Sequence, residues 1–97
     1  MIKHIVCFKL KNNADSEKKK AWDLLMSMNG RVPQIIEMEV GCDFLGSERS
    51  YDVILQVKLE NNEKLSEYQK DEYHVNVVKT YMKENAAASV AIDYEID

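Results

Sequence analysis

Residues 2 to 10 alternate: Ile2, His4, Val6, Phe8 and Leu10 point one way, Lys3, Ile5, Cys7 and Lys9 the other. Both faces carry apolar residues at their centre, which predicts an inner strand of a sheet covered on both sides. Asn12-Asn13 mark a turn. From Asp15 to about Met28 the period becomes helical, with Ala21, Trp22, Leu25, Met26 and Met28 on one face and Lys19, Lys20 and Asp23 facing away. Asp15, Ser16 and Glu17 suit a first turn, where free N–H groups and the dipole favour acids and short polar caps. Asn29-Gly30 and then Pro33 stop the helix.

Alternation returns over residues 35 to 44, with Ile36, Met38, Val40, Cys42 and Phe44 opposite Glu37, Glu39 and Asp43. Gly41 marks a bulge or a close backbone approach. A polar loop, Gly46 to Ser50, leads into Tyr51, Val53, Leu55, Val57 and Leu59, alternating with Asp52, Ile54, Gln56 and Lys58; the pair reads as an antiparallel hairpin. Asn61-Asn62 begin a second helical region with Leu65 and Tyr68 inside. After a break it runs to about Lys83, with Val75, Val78, Tyr81 and Met82 at helical spacing. Ala86 to Ala88 are expected as a link to a last strand in which Val90, Ile92, Tyr94 and Ile96 alternate with Ala91, Asp93 and Glu95.

The order β-α-β-β-α-β is that of an α+β, ferredoxin-like domain: one antiparallel sheet with both helical regions on one face. The other face would be bare, yet strands one and three keep apolar residues on it. A second copy of the sheet would cover it, which predicts a symmetric homodimer, a barrel with its helices outside.

Length and charge narrow the function. The chain has 97 residues, read as one domain over 1–97, whose core is small enough to gain from dimerisation. Its formal charge of −4 argues against a nucleic-acid partner, which calls for a basic face. Lys18-Lys19-Lys20 forms the solvated side of the first helix. Met1 leads straight into a strand pattern and no apolar run spans a bilayer, so no signal peptide or membrane partner is expected and the location read is cytoplasmic. Cys7 and Cys42 lie in predicted strands without zinc or redox spacing and read as reduced core residues; a disulfide between them would be unusual in the cytosol.

Several stretches carry a family resemblance: Met1 to Leu10, Glu39-Val40-Gly41, Ser47-Glu48-Arg49-Ser50-Tyr51-Asp52, Leu65-Ser66-Glu67-Tyr68-Gln69 and Ala91-Ile92-Asp93-Tyr94-Glu95. Over nearly its whole length the chain resembles stress-responsive A/B barrel domain (Dabb) proteins. The resemblance implies a dimeric α+β barrel. It implies little about activity, although one branch, plant olivetolic acid cyclase, closes a polyketide ring without a cofactor by means of a tyrosine and a histidine. His74 matches the family histidine of the second helical region and His4 that of strand one; Tyr68 is the tyrosine this chain offers nearby. The family pattern Tyr-Gln-x-His-Pro-x-His is altered here, because Asp71 and Glu72 stand where a His-Pro pair is usual.

On one ideal helix Tyr68 and His74 would lie about 120° apart around the axis, so a shared pocket requires the helix to break. Asp71 can cap a restarted helix, with Glu72 at its first position. His74 in that first turn would be drawn towards neutral imidazole by the helix end and towards imidazolium by Asp71 and Glu72. His74, Tyr68 and His4 are the candidate catalytic residues: His74 as general base, Tyr68 and His4 as oxyanion partners. Each also has a plain structural reading, as a half-buried histidine, a packing tyrosine and a satisfied core histidine. Asp52 is expected to pair with Arg49 or a cross-strand lysine. Tyr51, Tyr73, Tyr81, Phe44 and Trp22 read as core or interface aromatics.

No cofactor is expected: there is no glycine-rich phosphate loop, and two histidines without a cysteine or carboxylate at ligand spacing do not make a zinc site, although carboxylates leave a weak Mg²⁺ site open. Three functional readings follow. The first is a homodimer binding a small apolar or aromatic molecule in a helix–sheet cavity. The second is a cofactor-independent lyase or cyclase acting on a polyketide-like carbonyl compound. The third is a structural, stress-associated dimer with its cavity filled by its own side chains.

Overall fold

The computed structural model describes residues 1–96; Asp97, the last residue of the domain expected over 1–97, lies outside the described residues. The elements are β1 (Ile2–Leu10), α1 (Asp15–Met26), β2 (Glu37–Cys42), β3 (Val53–Leu59), α2 (Asn62–Lys70), a π-helical segment (His74–Lys79), α3 (Thr80–Asn85) and β4 (Ala86–Glu95). They form one antiparallel sheet in the order β2-β3-β1-β4, the ferredoxin-like arrangement expected from the alternating pattern.

The core lies between one sheet face and the helices. Val53, Leu55, Val57 and Leu59 are buried on β3, and Leu25, Leu65, Tyr68, Val78 and Met82 meet them from above. Because strand side chains alternate, the second face is built from the intervening residues. Its rows are Gly41, Ile54, Cys7 and Val90, then Glu39, Gln56, Ile5 and Ile92, then Glu37, Lys58, Lys3 and Tyr94. In the protomer this face is open, and Ile92 on it is 66% exposed.

Several expectations change at the edges of the sheet. Ala86 to Ala88 belong to β4 rather than to a linker, and a bulge at Lys9/Leu10 accommodates the extra residue on their side. The bulge therefore sits in the β1–β4 pairing, with Ala87 of β4 as its extra residue, and not at Gly41, where a Cβ would come within 3.3 Å of Ile54 Cγ2; the close-approach reading of that glycine holds. Phe44 is not a core aromatic: it is 95% exposed, because β2 ends at Cys42 and the chain turns away, Gly46 adopting φ 64° with its N–H donating to Asp43 Oδ2. Cys42 is exposed, with its thiol near the Lys18 carbonyl on the helix side, whereas Cys7 is half-buried on the open face. Neither is a core residue, and both are free thiols.

Asp52 also departs from its expected ion pair. Its carboxylate accepts the Leu10 N–H at 2.8 Å, and its own N–H donates to Phe8 O at 2.8 Å. At the bulge Leu10 has left the regular β1–β3 ladder, which ends at the Phe8–Val53 pair, so the buried carboxylate supplies the missing acceptor. Asp52→Ala should therefore lower stability by about 1–3 kcal/mol in urea unfolding, by stranding a buried N–H. Arg49→Ala should leave the midpoint unchanged; a matching loss there would restore the ion-pair reading.

Candidate functional site

The second helical region breaks at Asp71, whose backbone (φ −57°, ψ 134°) leaves the helical region. Asp71 then starts the next helix, its Oδ1 accepting the N–H groups of Tyr73 at 2.9 Å and His74 at 3.2 Å, and its carbonyl taking Val75 N–H at 2.8 Å. This is the cap expected of it, and it works without the proline usual in the family. Upstream, the break leaves α2 carbonyls without their ordinary helical donors. Tyr68 O receives Asp71 N–H at 3.2 Å and lies 3.1 Å from His74 Nδ1, while Lys79 Nζ donates to Gln69 O at 3.3 Å.

The π-helical geometry after His74 was not legible in the apolar spacing. Its wider turn carries one more residue than an α-turn and shifts the faces. His74 and Val78 are buried, whereas Val75, expected inside, is 38% exposed.

The three candidate residues come together. The Tyr68 and His74 rings stack with centroids 4.3 Å apart, and His4 meets Tyr68 edge-on at 5.6 Å. All three line one cleft of about 590 Å³ between α3 and β4. The cleft exists because β4 offers only small side chains to it: Ala86, Ala87, Ala88, Ser89 and Ala91 leave unfilled the space opposite Leu25 and Met82. Volume and apolar lining are those of a small-molecule site.

Each ring has a defined polar environment. A carbonyl only accepts, so His74 Nδ1 carries the proton that bonds Tyr68 O, and the neutral ring keeps its lone pair on Nε2. Burial, reinforced by the Lys79 charge, depresses His74 to about 4; the bond to the Tyr68 carbonyl and, less, the Asp71 charge pull the other way and lose. The dominant cause is thus one that sequence does not display. Tyr68 is fully buried, which pushes its phenol up, and its hydroxyl is directed at Met28 Sδ, 3.9 Å away. Its ring, rather than a free hydroxyl, is what it contributes to the histidine cluster. His4 Nδ1 is bonded to Asp93 Oδ1, its direct cross-strand neighbour on β4.

Asp93 is the site residue that sequence reasoning missed. Its signal was the shared face of His4 and Asp93, readable once β1 and β4 are paired in register. Among the described residues no three His, Cys, Asp or Glu side chains converge on a metal position, and no helix is long and apolar enough to cross a membrane.

A two-layer ferredoxin-like protomer with a histidine-lined cleft under a broken helix defines the class of protein. The chain belongs to the stress-responsive A/B barrel domain family, whose model matches residues 2–96. No curated protein matches it. Among solved structures it is similar to a dimeric ferredoxin-like protein of unknown function from Bacteroides fragilis, at 23% identity and TM-score 0.80, covering 98% of this chain and 95% of that one. A protein from Arabidopsis thaliana aligns at 17% identity and TM-score 0.84, covering 100% and 96%. A Dabb family protein from Mesorhizobium loti aligns at 18% and 0.81, covering 98% and 95%. At these identities the likeness shows the fold.

Two outcomes test this site. An unfolded histidine titrates near 6.5 and folded His74 near 4, so between those values the unfolded chain binds the extra proton. Unfolding free energy should therefore rise with pH through that window, be complete above it and be lost as pH falls towards 4, and His74→Gln should flatten the slope. Denaturant titrations at several pH values check both. Asp71→Ala should cost about 0.5–2 kcal/mol and Asp71→Asn much less, since amide oxygen also caps.

Proposed function

We propose that this protein is a cytoplasmic homodimer that binds a small apolar or aromatic molecule in the cleft of each protomer. The observation that carries the reading is the cleft itself: it is open, lined by alanines and aliphatic side chains, and closed at one end by three aromatic rings with a few fixed polar atoms. That volume argues against the third reading, in which the protein's own side chains fill it. Support for the dimer comes from the open sheet face, whose one apolar row, one half-apolar row (Ile5 and Ile92 beside Glu39 and Gln56) and one row of mixed charge suit a self-complementary two-fold contact, and from relatives described as dimeric. Two free thiols suit a reducing compartment.

The second reading is cofactor-independent acid–base catalysis on a carbonyl compound with an acidic α-proton. One observation favours it: His74 is neutral at physiological pH, with Nε2 available as a general base. His4, held by Asp93, is then the partner for the developing oxyanion, and Tyr68 orients both rings by contact.

Thermal shift with neutral apolar aromatics such as 2-naphthol should raise the melting temperature of the wild type, because a ligand of the native state stabilises it. Ala91→Phe, which fills the cleft, should abolish the shift; a shift that survives would place binding elsewhere. Light scattering should show a dimer, and Ile92→Glu on the open face should give a monomer. For catalysis, His74→Ala should remove deuterium exchange at the α-carbon of a β-keto probe while sparing its affinity.

A further inference from the structure

We propose that Lys79 and Lys83 form an anion-recognition site at the mouth of the cleft, so that the ligand is an apolar body bearing one carboxylate. The inference rests on the small-molecule reading above and specifies the chemistry of that molecule. Both lysines line the cleft, and they stand four residues apart, on successive turns of one helical face. Like charges at that spacing disfavour a helix by a few tenths of a kcal/mol, about 0.2–0.5. Three other helical lysines are paired with acids, Lys19 with Asp23, Lys20 with Glu17 and Lys64 with Glu67. Lys18 donates to the Asp43 carbonyl, and Lys70, away from the cleft, has no salt bridge among the described residues. Acidic residues outnumber basic ones, 17 to 13, yet among the described residues neither Lys79 nor Lys83 has a salt-bridge partner.

Lys79 is also held in place. Its ammonium donates to the Gln69 carbonyl at 3.3 Å, and Gln69 itself lines the cleft, so the charge stands at the wall of the cavity with donors to spare. Its field reaches the interior, since it contributes to the depression of His74. Asp93 is bonded to His4 and does not itself line the cleft. The charged side chains that line the cleft are thus the two lysines at its α3 mouth, opposite the histidine end. A bound acid would orient with its carboxylate towards Lys79 and Lys83 and its far end towards the His74 and His4 rings. No arginine lines the cleft, so its cationic end consists of the two lysine ammonium groups, which a single carboxylate on an apolar body can meet.

Calorimetry with a matched pair of probes, 2-naphthoate and 2-naphthamide, tests this on the full chain at neutral pH and low salt. The carboxylate is expected to bind about five- to tenfold more tightly, the scale of two partly exposed ion pairs. The double variant Lys79→Gln/Lys83→Gln should lose that preference and keep its affinity for the amide. Equal affinities in the wild type, or a preference that persists in the variant, overturn the lysine assignment and leave the small-molecule reading standing. Binding of neither probe overturns both. Should the variant fail to fold, the wild type decides alone: the preference must shrink between about 20 mM and 0.5 M salt, and one insensitive to salt overturns the proposal.

Discussion

The architecture of the site depends on one carboxylate at one backbone break. Asp71 ends α2 by leaving helical geometry and restarts the chain by accepting two N–H groups on the same side-chain oxygen. A continuous helix would have turned His74 away from Tyr68; the break stacks the two rings. It also leaves carbonyls at the end of α2 for side chains to satisfy, and His74 and Lys79 use two of them. The same event therefore orients the imidazole, selects its tautomer and anchors a cation at the cleft wall. The cap and the chemistry are one feature.

The cleft has an equally simple origin. Helices α1 and α2 pack on β2 and β3, while β4 lies at the opposite sheet edge and remains exposed along nearly its whole length. Larger side chains on the helix-facing side of β4 would have filled the space beneath α3. Alanine and serine leave it empty, apart from Asp93, which reaches across to His4. An edge strand that contributes little to the core is free to shape a cavity, and its other face, with Val90, Ile92 and Tyr94 exposed, adds to the open side of the sheet.

The fold was largely legible because strands and helices announce themselves by periodicity. β1, β3 and α1 follow their alternating and helical patterns closely, and Val53, Leu55, Val57 and Leu59 are buried as their spacing requires. Where the backbone departs from regular geometry the pattern misled. The π-helical turn exposes Val75, and the sharp end of β2 carries Phe44 into solvent. Asp52 looked like half of an ion pair because a bulge two strands away in sequence cannot be seen locally. The convergence of His4, Tyr68 and His74 was legible from the expected break, since Asp71 has cap chemistry on its face. The His4–Asp93 bond required the register between the first and last strands, and the protonation of His74 required burial, a property of the whole fold.

The central claim is that the break delivers a neutral His74 into the cleft with Nδ1 committed to the backbone and Nε2 left open. Long-range ¹H–¹⁵N correlation spectroscopy of the imidazole at neutral pH tests it most directly, because protonated and unprotonated ring nitrogens resonate far apart. The account predicts a protonated Nδ1 and an unprotonated Nε2. A proton on Nε2, or on both nitrogens, would contradict it.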